Sequence, residues 1–93
     1  MQSYLIKRKQ LLVPERNMFT PKPDLPLGTY RHYKGGEYEV LMLACDEATH
    51  EWLVIYTALY DTGAYPKVWA RPYGVFVEAV EVDGQKIPRF QKF

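Results

Sequence analysis

Gly28-Thr29-Tyr30-Arg31-His32-Tyr33-Lys34-Gly35-Gly36-Glu37-Tyr38-Glu39-Val40 is the stretch whose reading decides the fold. Glycine supplies the positive φ that tight hairpins need, so Lys34-Gly35-Gly36 reads as a turn between two strands. The same short span carries three tyrosines, a histidine and two cations. A hairpin with rings and positive charge on it is thus the nucleus of the chain.

Working outward, Glu37 to Cys45 continues as a long strand. Its even positions Tyr38, Val40, Met42 and Ala44 share one face, while its odd positions change from Glu37 and Glu39 to Leu41 and Leu43. Such a strand passes from an exposed rim to a covered region, as a bent barrel strand does. Asp46 to His50 is a polar connection. Glu51 to Ala58 follows as a strand with Trp52, Val54, Tyr56 and Ala58 on one face and Leu53, Ile55 and Thr57 on the other, both covered. Tyr60 to Pro66 is a loop, and Lys67 to Ala70 is a short strand stopped by Arg71-Pro72. Tyr73 to Phe76 suits one helical turn. Val77 to Val82 alternates as a strand, and Asp83-Gly84 turns it into a last strand, Gln85 to Phe90, where Pro88 marks an edge.

Five or six short strands without a long helix predict a mainly β domain over residues 28–93, built as a small closed or half-open barrel. Residues 1–27 read as an arm or linker, extended or partly helical. Tyr4, Leu5, Leu11 and Leu12 fall near one face of a possible helix over 4–13 that Pro14 stops, and Pro21, Pro23 and Pro26 favour extended backbone beyond it. Met18 and Phe19 would pin the arm to a surface of its own domain or of a second copy.

The chain has 93 residues, 47% of them hydrophobic and 25% charged, the balance of a single folded domain with one modest core. Net charge is +1, but residues 1–34 hold seven Lys/Arg against two Asp/Glu and residues 35–93 hold five against nine. The basic front could meet phosphate, yet charge alone reports solubility first. Cys45 is the single cysteine, without a partner for an internal bridge, and its apolar neighbours suggest a buried, inert thiol in a reducing compartment. No apolar run approaches a membrane span and the N-terminus lacks the order of a signal peptide, so a cytoplasmic location and no membrane partner are expected.

The motifs Gly28-x-Tyr30-Arg31-His32-Tyr33-Lys34-Gly35 with Tyr38-x-Val40, Val54-x-Tyr56-x-Ala58-Leu59-Tyr60, Trp69-x-Arg71-Pro72 with Phe76, and Val82-Asp83-Gly84 with Pro88-Arg89-Phe90 run through residues 28–90. In this combination the chain resembles a bacterial family known as domain of unknown function 1653. The resemblance implies a small barrel of the Src-homology-three type and carries no known activity. Cys45-Asp46 departs from the family pattern, which has a polar or charged residue followed by histidine there. The loop Asp61–Lys67 is longer than usual, and residues 1–27 lie outside the resemblance.

Arg31, His32, Tyr33, Tyr56, Tyr60, Trp69 and Arg71 are the candidate ligand-binding residues. Exposed rings beside guanidinium groups stack planar groups and clamp anions, which suits a nucleotide or nucleic acid. The bland alternative is that tyrosine and tryptophan fill the core and Arg71 braces a carboxylate, with Trp52 more suited to core than to contact. Catalysis finds no support. Two separated histidines and one cysteine have no metal-ligand spacing, Lys34-Gly35-Gly36 is too short for a phosphate loop, and Ser3 is the single serine. The carboxylates Glu37/Glu39 and Glu78/Glu81 alternate with apolar residues as solvated faces do. No enzyme, metal or cofactor is therefore expected. Two functions stand: a module for an anionic or planar ligand, or a protein-interaction module that takes a peptide or exchanges its N-terminal arm with a second copy.

Overall fold

The computed structural model describes residues 20–93. The helix expected over 4–13 and the pinning residues Met18 and Phe19 lie outside the described residues. The fold is mainly β, with strands β1 (Gly28–His32), β2 (Glu37–Cys45), β3 (Trp52–Ala58), β4 (Val68–Pro72), the helical turn α1 (Tyr73–Phe76), β5 (Ala79–Val82), β6 (Gln85–Pro88) and β7 (Phe90–Lys92). One antiparallel sheet has the order β4-β3-β2-β1-β7, and β5 and β6 form a separate two-stranded ribbon.

The hairpin turns sit where glycine allows them. Gly35 has φ 107° between β1 and β2, and Asp83 and Gly84, at φ 52° and 79°, give the paired left-handed residues of a tight turn between β5 and β6. Pro72, extended at φ −54° and ψ 138°, ends β4 and starts α1 as expected.

Two expectations are corrected. The last strand does not run unbroken from Gln85 to Phe90. It breaks at Arg89, so that β6 pairs with β5 and β7 pairs with β1, giving seven strands among the described residues in place of five or six. The Arg89 backbone turns the corner, its N–H donating to the Glu78 carbonyl at 3.3 Å and its carbonyl accepting from the Tyr33 N–H at 2.9 Å. The sheets also do not close into a barrel, since β4 and β7 are free sheet edges among the described residues.

The alternation along β2 is also different from the even-odd reading. The register against β3 shifts between Val40 and Met42, a bulge that takes up Leu41. An extra residue swaps the faces beyond it. Val40 is buried, whereas Met42 is 53% exposed and Leu43 packs against the core.

The core consists of Tyr30, Val40, Val54, Tyr56, Phe76 and Phe90. Phe76 of α1 stacks on Phe90 of β7 with centroids 4.1 Å apart and planes 5° from parallel, and Tyr30 and Tyr56 meet Phe76 edge-on, each at 5.5 Å. The short helical turn is thus a plug over the inner face, and the break at Arg89 is what brings Phe90 beneath it. Residues 20–27 lie against the domain without regular structure. Leu25 packs on the core, the Pro26 carbonyl accepts from the Tyr30 hydroxyl at 2.7 Å, and the Thr20 carbonyl accepts from the Trp52 indole at 2.9 Å. Trp52 is accordingly a partly exposed clasp and not core. Cys45 is likewise half-buried, not fully buried. No helix of the described residues is long and apolar enough to cross a membrane.

Candidate functional site

Strand register sorts the candidate residues onto two faces. Tyr30 opposes Tyr38, Val54 opposes Arg71 and Tyr56 opposes Trp69, so these share the inner face with the core. Arg31 opposes Glu37 on one side and Gln91 on the other, and points to the outer face. The seven residues therefore do not converge on a single place.

Arg31, His32 and Tyr33 line an open cleft of about 470 Å³ together with Gly35, Pro88 and Phe93, and Ile87, Gln91 and Lys92 complete its walls. One wall comes from the β1 turn, one from β6 and one from β7. The Arg31 guanidinium lies over the exposed Phe93 ring, 4.5 Å from its centroid, and donates to the Glu37 carboxylate at 3.0 Å. The His32 ring packs against Tyr33 at 4.6 Å and edge-on against Phe90 at 4.9 Å. Its Nδ1 accepts from the Lys34 backbone N–H at 3.1 Å, which leaves Nε2 as the donor of the neutral ring. Burial first, then the positive charges of Arg71, Arg89 and Lys34, hold the His32 pKa below the ordinary histidine value. Among the described residues no Asp or Glu side chain lines the cleft, while Arg31 and Lys92 both do, the Lys92 ammonium donating to the Phe93 main-chain oxygen at 2.8 Å. The cleft is thus cationic and flanked by flat groups.

The other four candidates lie elsewhere. Tyr56 is 4% exposed and belongs to the core, where its hydroxyl accepts from Arg71 Nε at 3.2 Å. Arg71 also lies 5.8 Å from the centroid of Phe90, and no carboxylate pairs with it among the described residues. It does not brace an acid, as the bland reading supposed, but a phenol. Tyr60 is exposed and shares a hydroxyl–hydroxyl hydrogen bond of 2.6 Å with Tyr38. Burial, followed by that bond, pushes the Tyr38 phenol up to about 12. Trp69 is partly exposed on the edge strand β4.

The cleft residues that sequence reasoning missed are Gly35, Ile87, Pro88, Gln91, Lys92 and Phe93. No strand alternation marks them: Phe90-Gln91-Lys92-Phe93 places two polar residues between two rings, so a strand continuing past Phe90 had no period-two pattern to reveal it. Tyr38 was legible as an inward-facing ring but not as the hub that contacts His32, Tyr56, Tyr60 and Phe90. Among the described residues no three of His, Cys, Asp and Glu are grouped to hold a metal ion.

The domain is similar to a known crystal structure, that of a DUF1653 protein from Bordetella bronchiseptica. The two are 37% identical, with a TM-score of 0.70, over 75% of this chain and 88% of that one. No curated protein matches the chain. The model for the family described as "Protein of unknown function (DUF1653)" matches residues 28–92, which holds the hairpin, all seven strands and every residue of the cleft except Phe93, and the chain belongs to that family.

Proposed function

We propose that this domain is a non-catalytic binding module that takes an anionic, planar ligand, a nucleotide or the base and phosphate of a nucleic acid, in the cleft between β1, β6 and β7. The observation that carries the reading is the Arg31 guanidinium stacked on the exposed Phe93 ring in a cleft that His32, Tyr33 and Lys92 also line, with Glu37 beside Arg31 but outside the lining. A volume of about 470 Å³ suits a small ligand. Rings and guanidinium planes offer stacking surfaces, and the cations meet the phosphate. A half-open, Src-homology-three-like arrangement in the cytoplasm is part of the same proposal.

Titration of AMP and of a short single-stranded oligonucleotide into the full chain tests it by NMR. The His32 and Tyr33 resonances are expected to shift, with affinity falling as salt rises. Tryptophan fluorescence should stay silent, because neither Trp52 nor Trp69 lines the cleft. Unmoved His32 and Tyr33 signals in a folded sample overturn the proposal.

One observation favours a peptide as second reading. The Phe93 N–H donates to the Thr29 carbonyl and the Tyr33 N–H to the Arg89 carbonyl. By the alternation of an antiparallel ladder, the backbone groups of Phe90 and Lys92 then turn away from β1 at the free edge. An extended peptide added there would hold by main-chain bonds and survive high salt, unlike the nucleotide.

A further inference from the structure

Residues 35–66 hold six Asp/Glu and no Lys/Arg, and three of the six, Asp46, Glu47 and Glu51, lie between β2 and β3. That connection is at the far end of β2 from the cationic cleft, roughly 27 Å away along nine residues. The domain therefore has a negative end as well as a positive one. Asp46 turns into its own loop, its Oδ1 accepting the Ala48 N–H at 2.9 Å and the Thr49 N–H at 3.3 Å. Glu51 is exposed and accepts a long bond, 3.5 Å, from the Thr49 hydroxyl.

Glu51 borders a hollow of about 380 Å³ whose other walls are largely flat and apolar: Trp52 and Tyr73 bring aromatic rings, Pro21 and Pro23 saturated ones. Both aromatic residues are half-buried and held in place. The Trp52 indole N–H donates to the Thr20 carbonyl at 2.9 Å, which fixes the ring by its edge, and Tyr73 packs against the core cluster. Gly74 leaves one side open, since a Cβ built there meets nothing within 4 Å. His50 completes the lining, and no Lys or Arg among the described residues enters it. Lys22, between the two prolines, lines a separate hollow with Met42 and Leu43.

We propose that this hollow is a second binding site, one that takes a quaternary ammonium group. Aromatic faces attract a cation through their quadrupole, and the carboxylate at the rim adds its charge. A diffuse, weakly hydrated cation suits such walls, whereas a metal ion or a bare ammonium would need several oxygen atoms in place of its water, and Glu51 is the one carboxylate that lines the hollow. The same carboxylate repels anions, so the hollow and the cleft select opposite charges. They share no residue, and the hollow stands as a site whether or not the cleft takes a nucleotide.

Tryptophan fluorescence of the full chain carrying Trp69→Phe reports on Trp52 alone and tests the proposal. Choline, titrated at constant ionic strength, is expected to shift the emission saturably. The neutral analogue in which carbon replaces the choline nitrogen should bind about two- to thirtyfold more weakly. Adding Glu51→Gln, an exposed change that leaves the walls intact, should lower choline affinity about two- to fivefold. A glycine-serine peptide carrying one trimethyl-lysine distinguishes the sources of the group. Tighter binding than choline assigns a polypeptide partner and no tighter binding a free small molecule, and both support the site. A flat choline titration of a folded sample, or an equal response to the neutral analogue, overturns the proposal.

Discussion

Replacing Glu37 by glutamine should tighten ligand binding, because Glu37 competes with any anion for Arg31. The pair is 3.0 Å long with side chains 54% and 42% exposed. A surface ion pair of this exposure contributes about 0–1 kcal/mol, so Glu37→Gln should change stability by less than about 1 kcal/mol and release the guanidinium at equally small cost. The gain in affinity is bounded by the same figure, a factor of about two to five. Arg31→Ala removes the other partner. It loses a charge-assisted hydrogen bond of about 1.5–3 kcal/mol to the ligand, which means an affinity lower by about 10- to 150-fold. Calorimetric titration of AMP into wild type and both variants at one ionic strength, beside urea unfolding of each, separates binding from folding. If Arg31→Ala binds as wild type does, or if Glu37→Gln weakens binding while both remain folded, Arg31 is not an anion contact and the competition argument is wrong.

Phe76 contacts Phe90, Tyr30 and Tyr56 and is 1% exposed. Phe76→Ala should cost about 3–5 kcal/mol, a large share of the total stability of a domain this size, and an unchanged urea midpoint would show that α1 is no plug. The His32 pKa lies below its unfolded value. Protons then bind the unfolded chain more readily, so this contribution to stability is complete above about pH 6.5 and is lost as pH falls towards the folded value. The urea midpoint should drop between pH 7 and pH 5, and His32→Gln should flatten that drop. An equal drop in the variant would assign it to other groups.

Much of the architecture was readable because a few residues leave the backbone little choice. Gly35 and the Asp83-Gly84 pair place two turns, and Pro72 marks both the end of β4 and the start of α1. The bulge at Leu41 was not readable, since Leu41, Met42 and Leu43 are all apolar and no polar residue records which of them faces water. Nor was the break at Arg89, because arginine fits an edge strand as well as a corner. That one error moved the site. With the last strand ending at Phe90, neither Gln91, Lys92 nor Phe93 could be seen as walls, and Arg71 and Trp69 were grouped with Arg31 although the sheet separates them. Composition could show that rings and cations were abundant, but only register could show which of them are neighbours.

The corner at Arg89 has a mechanical consequence. Ile87 and Pro88 belong to β6 of the ribbon, Gln91 and Lys92 belong to β7 of the large sheet with Phe93 just past its end, and Arg89 is the one residue between the two strands. Anything lodged in that elbow touches both arms at once, so its occupancy would stiffen the ribbon against the sheet. Had the chain run straight, the elbow, and with it the hollow, would not exist.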